Sequence, residues 1–199
     1  MKKVLITVLL LAAVAFGAYY FFGNKKDDTR QDEELQPLSI KKNSGAFNQS
    51  YQELLKGYYS LKDALVASDT SKANAASREL VTYADSLKIN EITGDSTGMI
   101  KETAKTFTGT ISGSAQALVK EPTLDAKRKE FEMISDALYT LTQTVRYGGE
   151  KIYYQYCPMA FDNRGAYWLS NQPVIRNPYF GDEMLECGEV KDSLDFGKN

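Results

Sequence analysis

Two cysteines and two methionines near the C-terminus have the types and spacing to do chemistry together. Cys157 and Met159 stand two apart in "YCPMAFDNRGAYW", and Met184 and Cys187 stand three apart in "MLECG". Thiolate and thioether sulfurs are soft donors that favour Cu(I). In an extended chain, residues two apart share a face. In a helical turn, residues three apart are neighbours. The two pairs can therefore converge on one Cu(I) ion as a four-sulfur set. Zinc suits that set poorly, because its usual ligands are thiolates and imidazoles and the chain has no histidine. The same atoms admit a second chemistry. Two cysteines in an oxidising compartment ordinarily pair. Closing a loop of about 30 residues stabilises a fold by roughly 3 to 4 kcal/mol in the chain-entropy description. Met159 and Met184 would then be core filler. The two thiols cannot do both jobs at once, although reducing a disulfide would release them for a metal.

Other reactive groups are fewer. The absence of histidine removes the commonest general base. There is no glycine-rich phosphate loop after a strand and no nucleophile elbow. The expectation is a binding protein, not an enzyme. Asp162, Asp182, Glu183 and Glu186 lie near the sulfurs in sequence and read as solvated surface acids. Arg164 and Arg176 read as loop salt-bridge partners. If the cysteines pair, the aromatic loop becomes a rigid docking surface, with Trp168, Asn177, Tyr179 and Phe180 as its candidate contact residues. A net charge of −2 leaves no footprint for nucleic acid.

The elements that must position these residues are set by hydrophobic spacing. Residues 4–22 carry no charge and are flanked by Lys2, Lys3, Lys25 and Lys26. As a helix this run would span roughly 28 Å, close to a bilayer core. It reads as a signal-anchor or a cleaved signal peptide. Either form exports the C-terminal remainder of the chain. Residues 23–45 are polar and free of aromatics, and read as a tether. Residues 46–199 remain for one folded domain.

Within that domain four apolar stripes repeat at spacings of three and four. They are Phe47, Tyr51, Leu54, Tyr58, Leu61, Leu65; then Ala73, Ala76, Leu80, Tyr83, Leu87; then Ile100, Ala104, Phe107, Ile111, Leu118, with Ser114 in the missing step; then Phe131, Ile134, Leu138, Leu141, Val145. Four amphipathic helices bury such faces most economically as an all-α, four-helix bundle. Asp69-Thr70-Ser71 and Thr123 offer N-caps, and Gly148-Gly149 should end the fourth helix. After it, "KIYYQY" favours a short strand. The remainder predicts an irregular cap, with Tyr154, Tyr156, Trp168, Tyr179 and Phe180 packing it onto the bundle.

The stretch "YYQYCPMAFDNRGAYWLS", followed by "IRNPYFGDEMLECGEVKDSL", resembles domain-of-unknown-function family 3347. "YQELLKGYYSLKDALVASDTSKANAAS" is similar to the first helix and turn of that family. The family occurs in exported bacterial proteins. Some members are fused to periplasmic adaptor subunits of heavy-metal efflux pumps. The resemblance implies an envelope location and efflux components as partners. It carries no catalytic activity to transfer.

Overall fold

Four long helices form where the apolar spacing puts them. In this computed structural model, which describes residues 43–198, α1 spans Gly45–Val66, α2 Thr70–Asp85, α3 Met99–Lys120 and α4 Leu124–Val145. Every residue of the first and fourth stripes is fully buried. Ser44 caps α1 by accepting from the Phe47 N–H, Asp69 caps α2 from Lys72 and Thr123 caps α4 from Ala126. The apolar run 4–22 and most of the polar tether lie outside the described residues. Among the described residues, no helix is long and apolar enough to cross a membrane.

The third helix holds despite Gly109 and Gly113. Its buried row is Ile100, Ala104, Thr108, Ile111, Ser112, Ala115 and Leu118. Ala115, not Ser114, fills the step the spacing left open. Thr108 is admitted because its hydroxyl donates back to the Ala104 carbonyl, 2.9 Å away. The end of α3 is closed by Lys127, only 2 % exposed. Its ammonium donates to the Leu118 carbonyl and to Asn74 Oδ1, each at 2.7 Å. Burial lowers the pKa of Lys127. The negative end of the α3 dipole favours the charge it keeps.

The fourth helix ends earlier than Gly148-Gly149. Arg146 takes the left-handed conformation (φ 49°, ψ 58°) and stops it. The next residue, Tyr147, is buried and stacks on Tyr51, ring centroids 4.6 Å apart. Burying that ring in a tyrosine pair favours a turn at this position over one two residues later.

The domain is not all-α. Strands β1 (Ile152–Cys157), β2 (Ala166–Ser170) and β3 (Glu189–Leu194) form an antiparallel sheet in the order β2-β1-β3. The β-prone "KIYYQY" is β1 as expected. Strand β3 carried no signal because "EVKDSL" is charged and mostly exposed. It is held by pairing with β1, across a bulge at Tyr154/Gln155.

The sheet docks where α1 and α4 meet. Leu169 N–H donates to Tyr58 Oη at 3.0 Å, and Tyr58 meets Ser135 Oγ at 2.7 Å. Ser135 donates in turn to the Phe131 carbonyl at 2.8 Å. The hydrogens therefore run one way, from β2 through α1 to α4. On the same side, Tyr139 of α4 stacks on Tyr154 of β1 at 3.8 Å, Tyr154 on Tyr167 of β2 at 4.5 Å, and Tyr167 on Tyr156 at 4.4 Å. A sheet anchored by stacked rings and oriented hydroxyls is fixed in register as well as in position.

Candidate functional site

The site is built on the far face of the sheet. Cys157 ends β1 opposite Ala166 and is fully buried. The loop from 171 to 188 crosses that face and brings Cys187 back to Cys157. The two are disulfide-bonded, with Cα atoms 5.7 Å apart, and among the described residues no cysteine is free. Two sulfurs joined to each other offer no thiolate. The four-sulfur Cu(I) set expected as one alternative is thus not assembled in this state. Among the described residues, no three cysteine, aspartate or glutamate side chains gather as a metal cluster.

Asn177 organises the loop that the disulfide closes. It is wholly buried. Its Nδ2 donates to the Cys187 carbonyl at 2.9 Å, and its Oδ1 accepts from Tyr179 N–H at 2.8 Å. Its own N–H donates to the Leu185 carbonyl at 2.8 Å. One side chain therefore satisfies two backbone groups in a segment with little regular hydrogen bonding. Asn177→Ala should leave both unpaired and cost about 2 kcal/mol of unfolding free energy, read from urea denaturation.

Arg128 ties this loop to the bundle. The residue is 7 % exposed. Its Nε donates to the Pro178 carbonyl at 3.0 Å and its terminal nitrogen to Ser68 Oγ at 3.3 Å. Burial lowers its pKa, opposed by Asp125, 3.6 Å away, and by Glu183. Two glycines allow the close packing. Gly188 (φ 144°) lies where a Cβ would press on the Tyr156 carbonyl and the Trp168 ring. Gly165 (φ 81°) lies where one would enter the Tyr156 ring.

The expected contact residues divide. Trp168 and Asn177 are completely buried and Tyr179 is 5 % exposed. They shape the surface from beneath, Trp168 from under the loop and Asn177 and Tyr179 as its inward-facing residues. Tyr179 packs among Phe131, Phe161 and Trp168, and its hydroxyl donates to the Tyr167 carbonyl. Phe180 is half-buried. The acids Asp162, Asp182, Glu183 and Glu186 are all exposed, as is Arg176. Arg164 pairs with Glu132 at 2.6 Å and lies over the Phe161 ring.

Beside the loop is a cleft of about 460 Å³. Met159 and Met184 both border it, with Phe161, Phe180, Asp162 and the buried Arg128. Its rim is an unusual turn at Ala160–Asn163. Phe161 (φ 52°, ψ 61°), Asp162 (φ 58°, ψ 43°) and Asn163 (φ 66°) are all left-handed. Each such residue other than glycine costs roughly 1–2 kcal/mol, less for Asp and Asn. The conformation is held by Gly165 N–H donating to the Ala160 carbonyl at 2.9 Å and by Phe161 packing on Tyr179. Sequence reading named both methionines but missed Arg128, Phe161 and Tyr139.

A family model described as a protein of unknown function (DUF3347) matches residues 54–148. The match runs from within α1 to just past α4, covering the helices and not the C-terminal stretch that carries the resemblance in sequence. No curated protein and no solved structure matches.

Proposed function

We propose, from the premise that residues 54–148 belong to the DUF3347 family, that this protein is a binding module of the bacterial cell envelope and that its working surface is the disulfide-clamped cap. One observation carries the reading. The 171–188 loop has little regular structure, yet it is fixed by a covalent bond, by Asn177 and by Arg128 beside an open cleft. Binding surfaces are commonly loops held on a rigid scaffold. A disulfide suits an oxidising compartment. The uncharged run at residues 4–22 would export the domain and hold it at the inner membrane, facing the periplasm. Its partners in this reading are components of a heavy-metal efflux assembly, and no catalytic step is assigned to it.

The test is photo-crosslinking in the native envelope from position 180 on the cap and from position 81 on the α2 flank. Discrete adducts from 180, absent from 81, are the expected result. Equal labelling from both positions, or none from 180, would count against the cap as the docking surface.

Soft-metal handling is the second reading. It is favoured by the two methionines that share the cleft. In its four-sulfur form it requires the disulfide to be reduced before Cu(I) loads.

A further inference from the structure

The geometry points to a cysteine-free site for one soft monovalent cation, of the Cu(I)/Ag(I) class, held in the cleft by the thioethers of Met159 and Met184. This rests on reading the cap as a binding surface, and it names what that surface takes.

Methionine usually fills cores. Met159 is instead 44 % exposed. It stands at the head of a turn whose three left-handed residues hold the rim of the cleft. Met184 reaches the same cleft from the clamped loop. A thioether does not titrate and is not consumed by a disulfide. This pair therefore stays available in the oxidised protein, where Cys157 and Cys187 are locked together.

The charges on the cleft select against hard ions. Asp125 and Asp162 are balanced by Arg128 and Lys129. Asp125 is already engaged by Arg128. No net field draws in a divalent cation, and the carboxylate cage that magnesium or calcium needs is missing among the described residues. A soft cation bonds to thioether sulfur without such a field. The aromatic walls add to this. Phe161 already carries a guanidinium 5.2 Å from its centroid on the Arg164 side, so the ring accepts a cation on one face. Phe180 supplies a second ring at the cleft.

Silver(I) nitrate in chloride-free buffer is the probe, because Ag(I) needs no reductant and leaves the disulfide intact. Calorimetric titration of the full, oxidised chain should show one bound equivalent. Met159→Leu and Met184→Leu should each weaken it at least tenfold, and the double variant should abolish it. Leucine conserves the volume, and circular dichroism checks that each variant is folded. Met133→Leu, at an exposed methionine on α4, should change nothing. The Cys157→Ser, Cys187→Ser variant should still bind. No uptake by oxidised protein, or uptake indifferent to Met159 and Met184, overturns the inference. Uptake only after reduction also overturns it and returns the site to the cysteines. Cap-specific crosslinks without silver binding would leave the docking surface standing and remove the cation site alone.

Discussion

The double variant Cys157→Ser, Cys187→Ser is expected to lose about 3.5 kcal/mol of unfolding free energy. The bond spans a sequence separation of 30. Loop-closure entropy for that length sets the magnitude in the chain-entropy description. The loss acts mainly through the unfolded chain, because Asn177 and Arg128 still hold the loop in the folded state. Two signatures separate this cause from simple loss of packing. The urea m-value should rise, since an uncrosslinked chain exposes more surface when it unfolds. Reducing the wild-type protein should reproduce the same shift, because it breaks the bond while adding no serine. A loss below about 1 kcal/mol would mean that the unfolded chain stays compact around residues 157 to 187 without the bond. Where folded variant persists, crosslinking from position 180 asks a separate question. Adducts that survive in the folded variant place recognition in the loop's shape. Adducts that vanish place it in the rigidity the disulfide supplies.

The helices were legible because each buries a stripe against its neighbours. Phe131, Ile134, Leu138, Leu141 and Val145 are all fully buried, as their spacing requires. Spacing fails where small or polar residues do the packing. Ser112 and Thr108 are buried in α3 while Phe107 is only partly so. A hydroxyl that bonds its own helix counts as apolar in effect but not in the sequence pattern. The cap was half legible. Pairing of Cys157 with Cys187 was one of two readings that the sulfurs allowed, and the structure shows the bond; tyrosines announce β1. Strand β3 was invisible because it relies on backbone pairing and buries only its last residue, Leu194. Asn177 was named as a contact residue of the loop surface. Its four backbone and side-chain bonds instead place it inside. The left-handed turn was beyond reach, since nothing in "AFDN" sets a positive φ at phenylalanine. The packing of Phe161 on Tyr179 sets it.

The packing around Phe131 yields the second large effect. Phe131→Ala is expected to cost about 3–5 kcal/mol, the range for emptying a fully buried phenylalanine site. The ring is inaccessible to solvent. It stacks on Tyr58 of α1 at 5.1 Å and meets Tyr179 of the loop at 5.9 Å. The cavity would therefore open where α1, α4 and the cap all touch. Domains of this size typically hold only about 5–15 kcal/mol in total, so the variant should melt well below the wild type. The informative result is how it melts. Trp168 is the sole tryptophan and is buried in the cap, so its fluorescence tracks the cap while far-ultraviolet dichroism tracks the helices. In the wild type the two urea curves should coincide, because the chain of hydrogen bonds from Leu169 through Tyr58 to Ser135 joins the two parts. In Phe131→Ala they should shift together by the same amount. A fluorescence transition that precedes the loss of helix would show that the cap can open while the bundle stands. The loop that borders the cleft would then be a locally unfolding unit, with a stability of its own set by the disulfide and Asn177.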